Sequence, residues 1–229
     1  MPDLGSNVII RNGPGGSVIS AASMMSDVTL ANYMYIYAEG IVTSTTVTSG
    51  GSMQVFSGGT ANSTTVSTSG SVYISSGGTV NGINVDPYGK LEISTEGKAF
   101  YIVENGGYVY APISITSSVD ITFSPHVFSN LILNGLQSAT VHSGTTANYT
   151  TINSGGELYV DSGGTATGIV ENGGNVYVAG GANVTFTPNA FSGLVLSYGS
   201  ATVHSGTTAN STTVISGGKL TIYTGGTAN

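Results

Sequence analysis

Residues 58–79 read GGTANSTTVSTSGSVYISSGGT, without one charged side chain. Glycine, serine and threonine dominate, yet Val66, Val72 and Ile74 fall at places that recur along the chain. Ile9, Val28, Val47, Val66 and Val85 stand nineteen residues apart, and Gly13, Asn32, Gly51, Gly70 and Gly89 follow each by four. Met34 and Ile36, Met53 and Val55, Val72 and Ile74, and Leu91 and Ile93 keep the same register, closed by Gly40, Gly59, Gly78 and Gly97. A linker has no cause to keep register over five units, so the stretch is one unit of a folding repeat.

The unit is built for strands. In SVYIS, Val72 and Ile74 face one side and Tyr73 the other. Glycine pairs between such strands permit corners and close backbone approach. One turn of chain cannot bury its apolar side alone, whereas stacked turns share a continuous core. The ladder continues through Val103, Ile152, Val170 and Val214 at steps near eighteen or longer, with two wide gaps read as enlarged units. A larger repeat overlies it: IVENGG and ATVHSGTT occur twice, from Ile102 and again from Ile169. The expectation is an all-β parallel β-helix (β-solenoid) of about eleven coils over residues 1–229, with right-handed winding by analogy with related folds.

Composition agrees and narrows the function. Charged residues are 7% of the chain while 39% is hydrophobic, which separates it from disordered sequences of similar glycine content. Four scattered cations, Arg11, Lys90, Lys98 and Lys219, make no basic patch, so nucleic acid is excluded as a partner. There is no cysteine. The first residues show no charged segment leading into an apolar core, and the last stop within a unit, so the chain is expected to be a piece of a longer one.

Several outward columns follow from the alternation. The middle of the short strand reads Tyr35, Gln54, Tyr73, Glu92, Tyr110, Tyr159, Tyr177 and Thr221. Tyrosine suits contact surfaces because it joins a large apolar face to a polar tip, so Tyr35, Tyr73, Tyr110, Tyr159 and Tyr177 are candidate binding residues; cross-strand stacking that merely stabilises a sheet is the competing reading. Asn62, Asn81, Asn148, Asn210 and Asn229 are expected to form corner ladders. His142 and His204 occupy equal places in ATVHSGTT, with no second ligand type beside them, so no metal or other cofactor is expected. Asp86, Lys90, Glu92 and Glu96 form the only dense charged patch and sit at ordinary repeat positions, which argues against a polysaccharide-cleaving enzyme.

The wording of the repeat carries a resemblance. TTVTSGGSMQVFSGGTANSTTV, TTINSGGELYVDSGGTATG and TTVISGGKLTIYTGGTAN resemble the repeats in passengers of AIDA-type autotransporter adhesins. The likeness runs from about Tyr33 onwards, and residues 1–32 share only the ladder. It implies a non-enzymatic passenger segment at the surface of a Gram-negative bacterium, exported ahead of an outer-membrane translocator barrel. Such a passenger mediates adhesion, autoaggregation or biofilm formation, through self-association or a host-cell or glycan ligand. The resemblance also implies O-linked heptoses, added by a heptosyltransferase before export. The acceptors would be Thr46, Ser49, Ser57, Ser63, Thr65, Thr151, Ser154, Ser162, Ser211 and Thr213, although serine and threonine are also simply uncharged strand and turn formers. An inert stalk that spaces a binding element outside the chain is the alternative.

Overall fold

The computed structural model describes residues 24–111 and 120–229, together with the backbone of Ile9–Ile10 and Ser17–Ile19. Gly13 and Arg11 lie outside the described residues. Every described element is a β-strand, and every pairing between strands is parallel. The fold is a parallel β-solenoid, and the chain divides into two compact units, Met1–Ser124 and Pro125–Asn229.

The opening stretch is one full coil of the first unit. It runs through a long strand, Thr60–Val66, a turn, a short strand, Ser71–Ile74, and a second turn. Ala61, Thr64 and Val66 point inward from the long strand, Val72 and Ile74 from the short one. The spacing from Ala61 to Thr64 breaks the period of two because Ser63 takes φ 54 there. A left-handed residue bends the strand and re-aims the side chains that follow. Asp27, Ser44, Gly82 and Tyr101 hold the same place at φ 55, 55, 72 and 57, so the bend runs as a column through the stack. The long strands Met24–Leu30 to Lys98–Glu104, flanked by Ile9–Ile10 and Ile121–Phe123, form a seven-stranded sheet. Six short strands from Ser17–Ile19 to Tyr108–Tyr110 form the facing one.

The two glycines of each SGG turn do different things. The first, as at Gly58 and Gly77, has φ 76 and 73, a conformation also borne by Ser69, Tyr88 and Glu96 at equivalent turns. The second lies against the coil before it. A Cβ at Gly78 would stand 2.4 Å from the Val55 carbonyl oxygen, and one at Gly70 2.4 Å from that of Val47. Those carbonyls accept the ladder bonds from the Ser75 and Ser67 amides, at 2.9 Å each, and cannot move aside without breaking them.

The inward columns of the short strands match the sequence reading: Met34, Met53, Val72, Leu91 and Val109 pair in order, each buried. The long-strand ladder requires three corrections. Val47 pairs with Leu30, not Val28, because two residues join Leu30 to Tyr33 where four join Val47 to Ser52. Ile10 rather than Ile9 pairs with Leu30. Beyond Val85 the inward place falls to Glu104, with Val103 turned outward against Asn84.

The second unit repeats the coil with its long strand divided. Thr145–Asn148 and Thr151–Asn153 each pair with half of Thr165–Asn172, and Ser138–Val141, Glu157–Val160 and Asn175–Val178 form a third sheet. A further stack follows: Asn189–Ser192 on Thr207–Asn210, Val195–Leu196 on Thr213–Val214, and Ser200–Val203 on Lys219–Ile222. Here too the column from Ile152 passes to Glu171 and not to Val170, and Val214 pairs with Leu196.

Replacing Gly78 with alanine is expected to lower the urea midpoint of unfolding, at a cost of about 1–3 kcal/mol from the forced contact. Ser69→Gly should raise it slightly, because relief of left-handed strain, about 1–2 kcal/mol, exceeds the roughly 0.5–1 kcal/mol of added unfolded-state freedom.

Candidate functional site

In the first unit the tyrosine column forms as read. Tyr35, Gln54, Tyr73, Glu92 and Tyr110 are direct neighbours across five short strands. Tyr33, Ser52, Ser71, Lys90 and Tyr108 make a second outward row beside it. Ring stacking occurs at one end, where Tyr33 stacks on Tyr35 at 6.5 Å and Tyr37 on Phe56 at 4.6 Å between ring centroids. Lys90 Nζ sits 2.5 Å from Glu92 Oε1 and 6.0 Å from the Tyr73 ring centroid. The bond to Glu92 holds the Lys90 ammonium above its ordinary pKa.

In the second unit the column is shorter. Thr140, which is buried, pairs with Tyr159, and Tyr159 with Tyr177. The two rings stack at 4.6 Å, and the Tyr159 hydroxyl donates to Glu157 Oε2 at 2.6 Å. Burial, aided by the Glu157 charge and opposed by a bond with Ser200, pushes the Tyr177 hydroxyl up. Thr221 pairs with Thr202 in the later stack.

The hydroxyl residues fall on several lines. Thr29, Thr46 and Thr65 form one outward column, ended by Asn84. Thr151 stands between Ile132 and Val170, and Thr213 beside Val195, so neither belongs to a hydroxyl row. Ser49, Ser57, Ser154 and Ser162 are exposed at turns, and Ser63 and Ser211 at the bend, where Ser211 has φ 50. The asparagine corners form in part: Asn81 donates to Asn62 and Asn229 to Asn210, each at 3.0 Å. A second ladder, Asn134–Asn153–Asn172 at 2.7 Å per step, was open to the same nineteen-residue count.

The acidic patch does not converge. Asp86 accepts from Asn84 and Asn105 at 2.7 and 3.1 Å, Glu92 holds Lys90, and Glu96 accepts from Ser76 at 2.8 Å. Among the described residues no group of three histidine, cysteine or acidic side chains is placed to hold a metal ion.

Sequence reasoning missed Glu171. Its side chain is fully buried, and its carboxylate accepts from the Thr202 hydroxyl, the His204 amide and His204 Nδ1, each at 2.7 Å. Thr202 Oγ1 itself accepts from the Val176 amide at 2.8 Å, which makes a relay. The His204 ring lies between Phe186 and Tyr223, with centroids 4.5 and 4.2 Å away and planes nearly parallel. The cluster occupies a break in the backbone ladder. Asn175–Val178 and Ser200–Val203 pack together without strand pairing: the Thr202 amide donates to the Gly174 carbonyl at 3.0 Å, and the His204 amide donates to Glu171 instead of to a neighbouring strand. Glu104, its counterpart in the first IVENGG, is likewise buried. A strict step of nineteen lands on both glutamates, from Val85 and from Ile152, while apolar Val103 and Val170, one residue earlier, fit the ladder by character but not by count.

No protein-family model matches the chain, and no curated protein matches it. Among solved structures, the crystal structure of a TibC-catalysed hyper-glycosylated TibA fragment aligns over 97% of this chain and 95% of that one, at 25% identity and a TM-score of 0.46.

His142, the counterpart of His204, differs in its surroundings: its Nε2 lies 3.0 Å from Asp161 Oδ2, where Tyr223 stacks in the other copy. That bond holds the Asp161 carboxyl below its ordinary pKa, against the opposing effect of its partial burial. A depressed acid adds stability above the unfolded carboxylate range and loses it as pH falls through the folded value. Wild type should therefore be more stable than Asp161→Asn near neutral pH, with the difference vanishing on the acid side, as read by melting temperature against pH.

Glu171→Ala leaves the Thr202 and His204 donors buried without their acceptor and should cost roughly 3–5 kcal/mol. Hydrogen exchange at the His204 amide should accelerate well before that of Val72, which lies in the unbroken ladder.

Proposed function

We propose that this chain is a segment of a bacterial surface adhesin passenger, exported to the outside of a Gram-negative cell, with no enzymatic role. The observation that carries the reading is the outward tyrosine column set in register on stacked, charge-poor coils. Each contact on such a face is weak, and repetition over coils and molecules multiplies it into avidity. The wording of the SGG repeats, which resembles AIDA-type passengers, supports the same assignment. Adhesion, autoaggregation and biofilm growth are the activities that follow from it.

The dispersal of the acidic patch into separate hydrogen bonds supports a non-catalytic role. Glycoside cleavage needs two carboxylates facing one bond, whereas Asp86, Glu92 and Glu96 each hold a different partner. Glu171 and His204 are enclosed, with both imidazole faces covered by rings. Heptosylation by a dedicated transferase belongs to the same proposal. Its acceptors would be the exposed turn serines Ser49, Ser57, Ser154 and Ser162, the bend serines Ser63 and Ser211, and the outward threonines Thr46, Thr65, Thr151 and Thr213.

Sedimentation velocity of unmodified protein over a wide concentration range tests the adhesive reading. Concentration-dependent oligomers are expected, and replacing Tyr73, Tyr159 and Tyr177 with serine should abolish them. A strict monomer at every concentration would overturn unaided self-association and favour a stalk.

A further inference from the structure

We infer that the outward face of the short-strand sheet in the first unit binds an extended, uncharged β-linked glycan laid along the direction of coil stacking. The inference rests on the adhesive reading and names the partner of that face. Tyr35, Tyr73 and Tyr110 occur at every second coil of one column, with Gln54 and Glu92 between them. Adjacent strands are about 4.8 Å apart, so tyrosines two coils apart stand about 10 Å apart.

An extended β-linked glycan turns each pyranose over relative to the last and advances by about one strand spacing per sugar. Every second sugar thus offers the same C–H face, in step with every second coil. A tyrosine ring receives such an apolar face on its π-surface, while its hydroxyl stays available to the sugar rim. The intervening coils supply what the alternate sugars need. Gln54 is oriented by its bond to Ser75 Oγ at 3.2 Å, and Ser52 and Ser71 are the small members of the neighbouring row, leaving room between the aromatic platforms.

Charge selects the class of glycan. Lys90 and Glu92 neutralise each other on this face, and no other charged residue occupies either outward row. A polyanionic chain finds no cationic track here. A neutral one sacrifices no solvated charge on docking. Tyr110 and Tyr33 are each 53% exposed, so their rings are accessible to a ligand.

The full chain is titrated calorimetrically with β-1,4-linked glucose oligomers of two, four and six sugars, with an α-1,4-linked six-sugar oligomer and with a heparin hexasaccharide. Saturable binding that strengthens from two to six β-linked sugars is expected, with the α-linked and heparin oligomers at least tenfold weaker. Tyr73→Ser should weaken six-sugar binding about threefold to tenfold, and Tyr73→Phe should retain it. Tyr101→Ser serves as a folding control, since Tyr101 is on the other sheet and serine already occupies its bend position at Ser44 and Ser63; it should bind as wild type. No binding to neutral oligomers, equal binding of α- and β-linked ones, preference for heparin, or indifference to Tyr73→Ser would each overturn the inference. Self-association through the tyrosines without oligomer binding overturns the glycan and leaves the adhesive reading standing; failure of both overturns both.

Discussion

The turns of this protein lie so close to the carbonyls of the coil before them that several leave no room for a Cβ. At the second glycine of most SGG turns, a Cβ would meet a carbonyl oxygen, at 2.2 Å for Gly164 and 2.5 Å for Gly59. Because that oxygen also accepts a ladder bond, the turn, the strand register and the coil spacing are held by one arrangement of atoms. Columns of side chains can line up over many coils only because this distance recurs. The first glycine carries a weaker demand, a left-handed backbone that serine, tyrosine or glutamate also meets elsewhere. Absence of a side chain thus does more to specify the fold than any single apolar contact.

Where the ladder is interrupted, chemistry of another kind takes over. Glu171 brings a carboxyl group into a column otherwise filled by Leu133 and Ile152, a placement that is tolerated only when the group is fully hydrogen-bonded. Three donors meet it, two from one residue, His204, that lies 33 positions away. A buried glutamate recurs in both copies of IVENGG. The outward tyrosine column of the first unit, by contrast, lies on uninterrupted strands, where register is set by the backbone and outward residues are free to vary.

Strand alternation, the nineteen-residue step and the glycine pairs were enough to establish a parallel β-solenoid and to name the buried pairs from Met34 and Ile36 to Leu91 and Ile93. They were also enough to put Tyr35, Gln54, Tyr73, Glu92 and Tyr110 on one outward line, because alternation sets the side within each strand and residues paired across a parallel ladder share that side. Those features are local or periodic, and periodicity survives translation from sequence to structure. What escaped was whatever broke the period. The shortened turn after Leu30 displaced the ladder by two residues, and the left-handed bend at Ser63 and its equivalents changed the parity within the long strand.

The nineteen-residue step from Ile152 points to Glu171, but the donors that let a carboxyl group sit in the core lay beyond local reading, since they come from a coil reached only after an irregular segment. No count along the chain reveals that Thr202 and His204 return to it, because a hydrogen bond between distant residues depends on how an interrupted stack closes. Sequence by itself determined the solenoid, the inner columns of its short strands in the first unit and its outward tyrosines, each a consequence of regular repetition. Only the tertiary structure decided which tyrosines share an uninterrupted face, and how a buried carboxyl group replaces a missing rung, because both depend on where the backbone ladder stops.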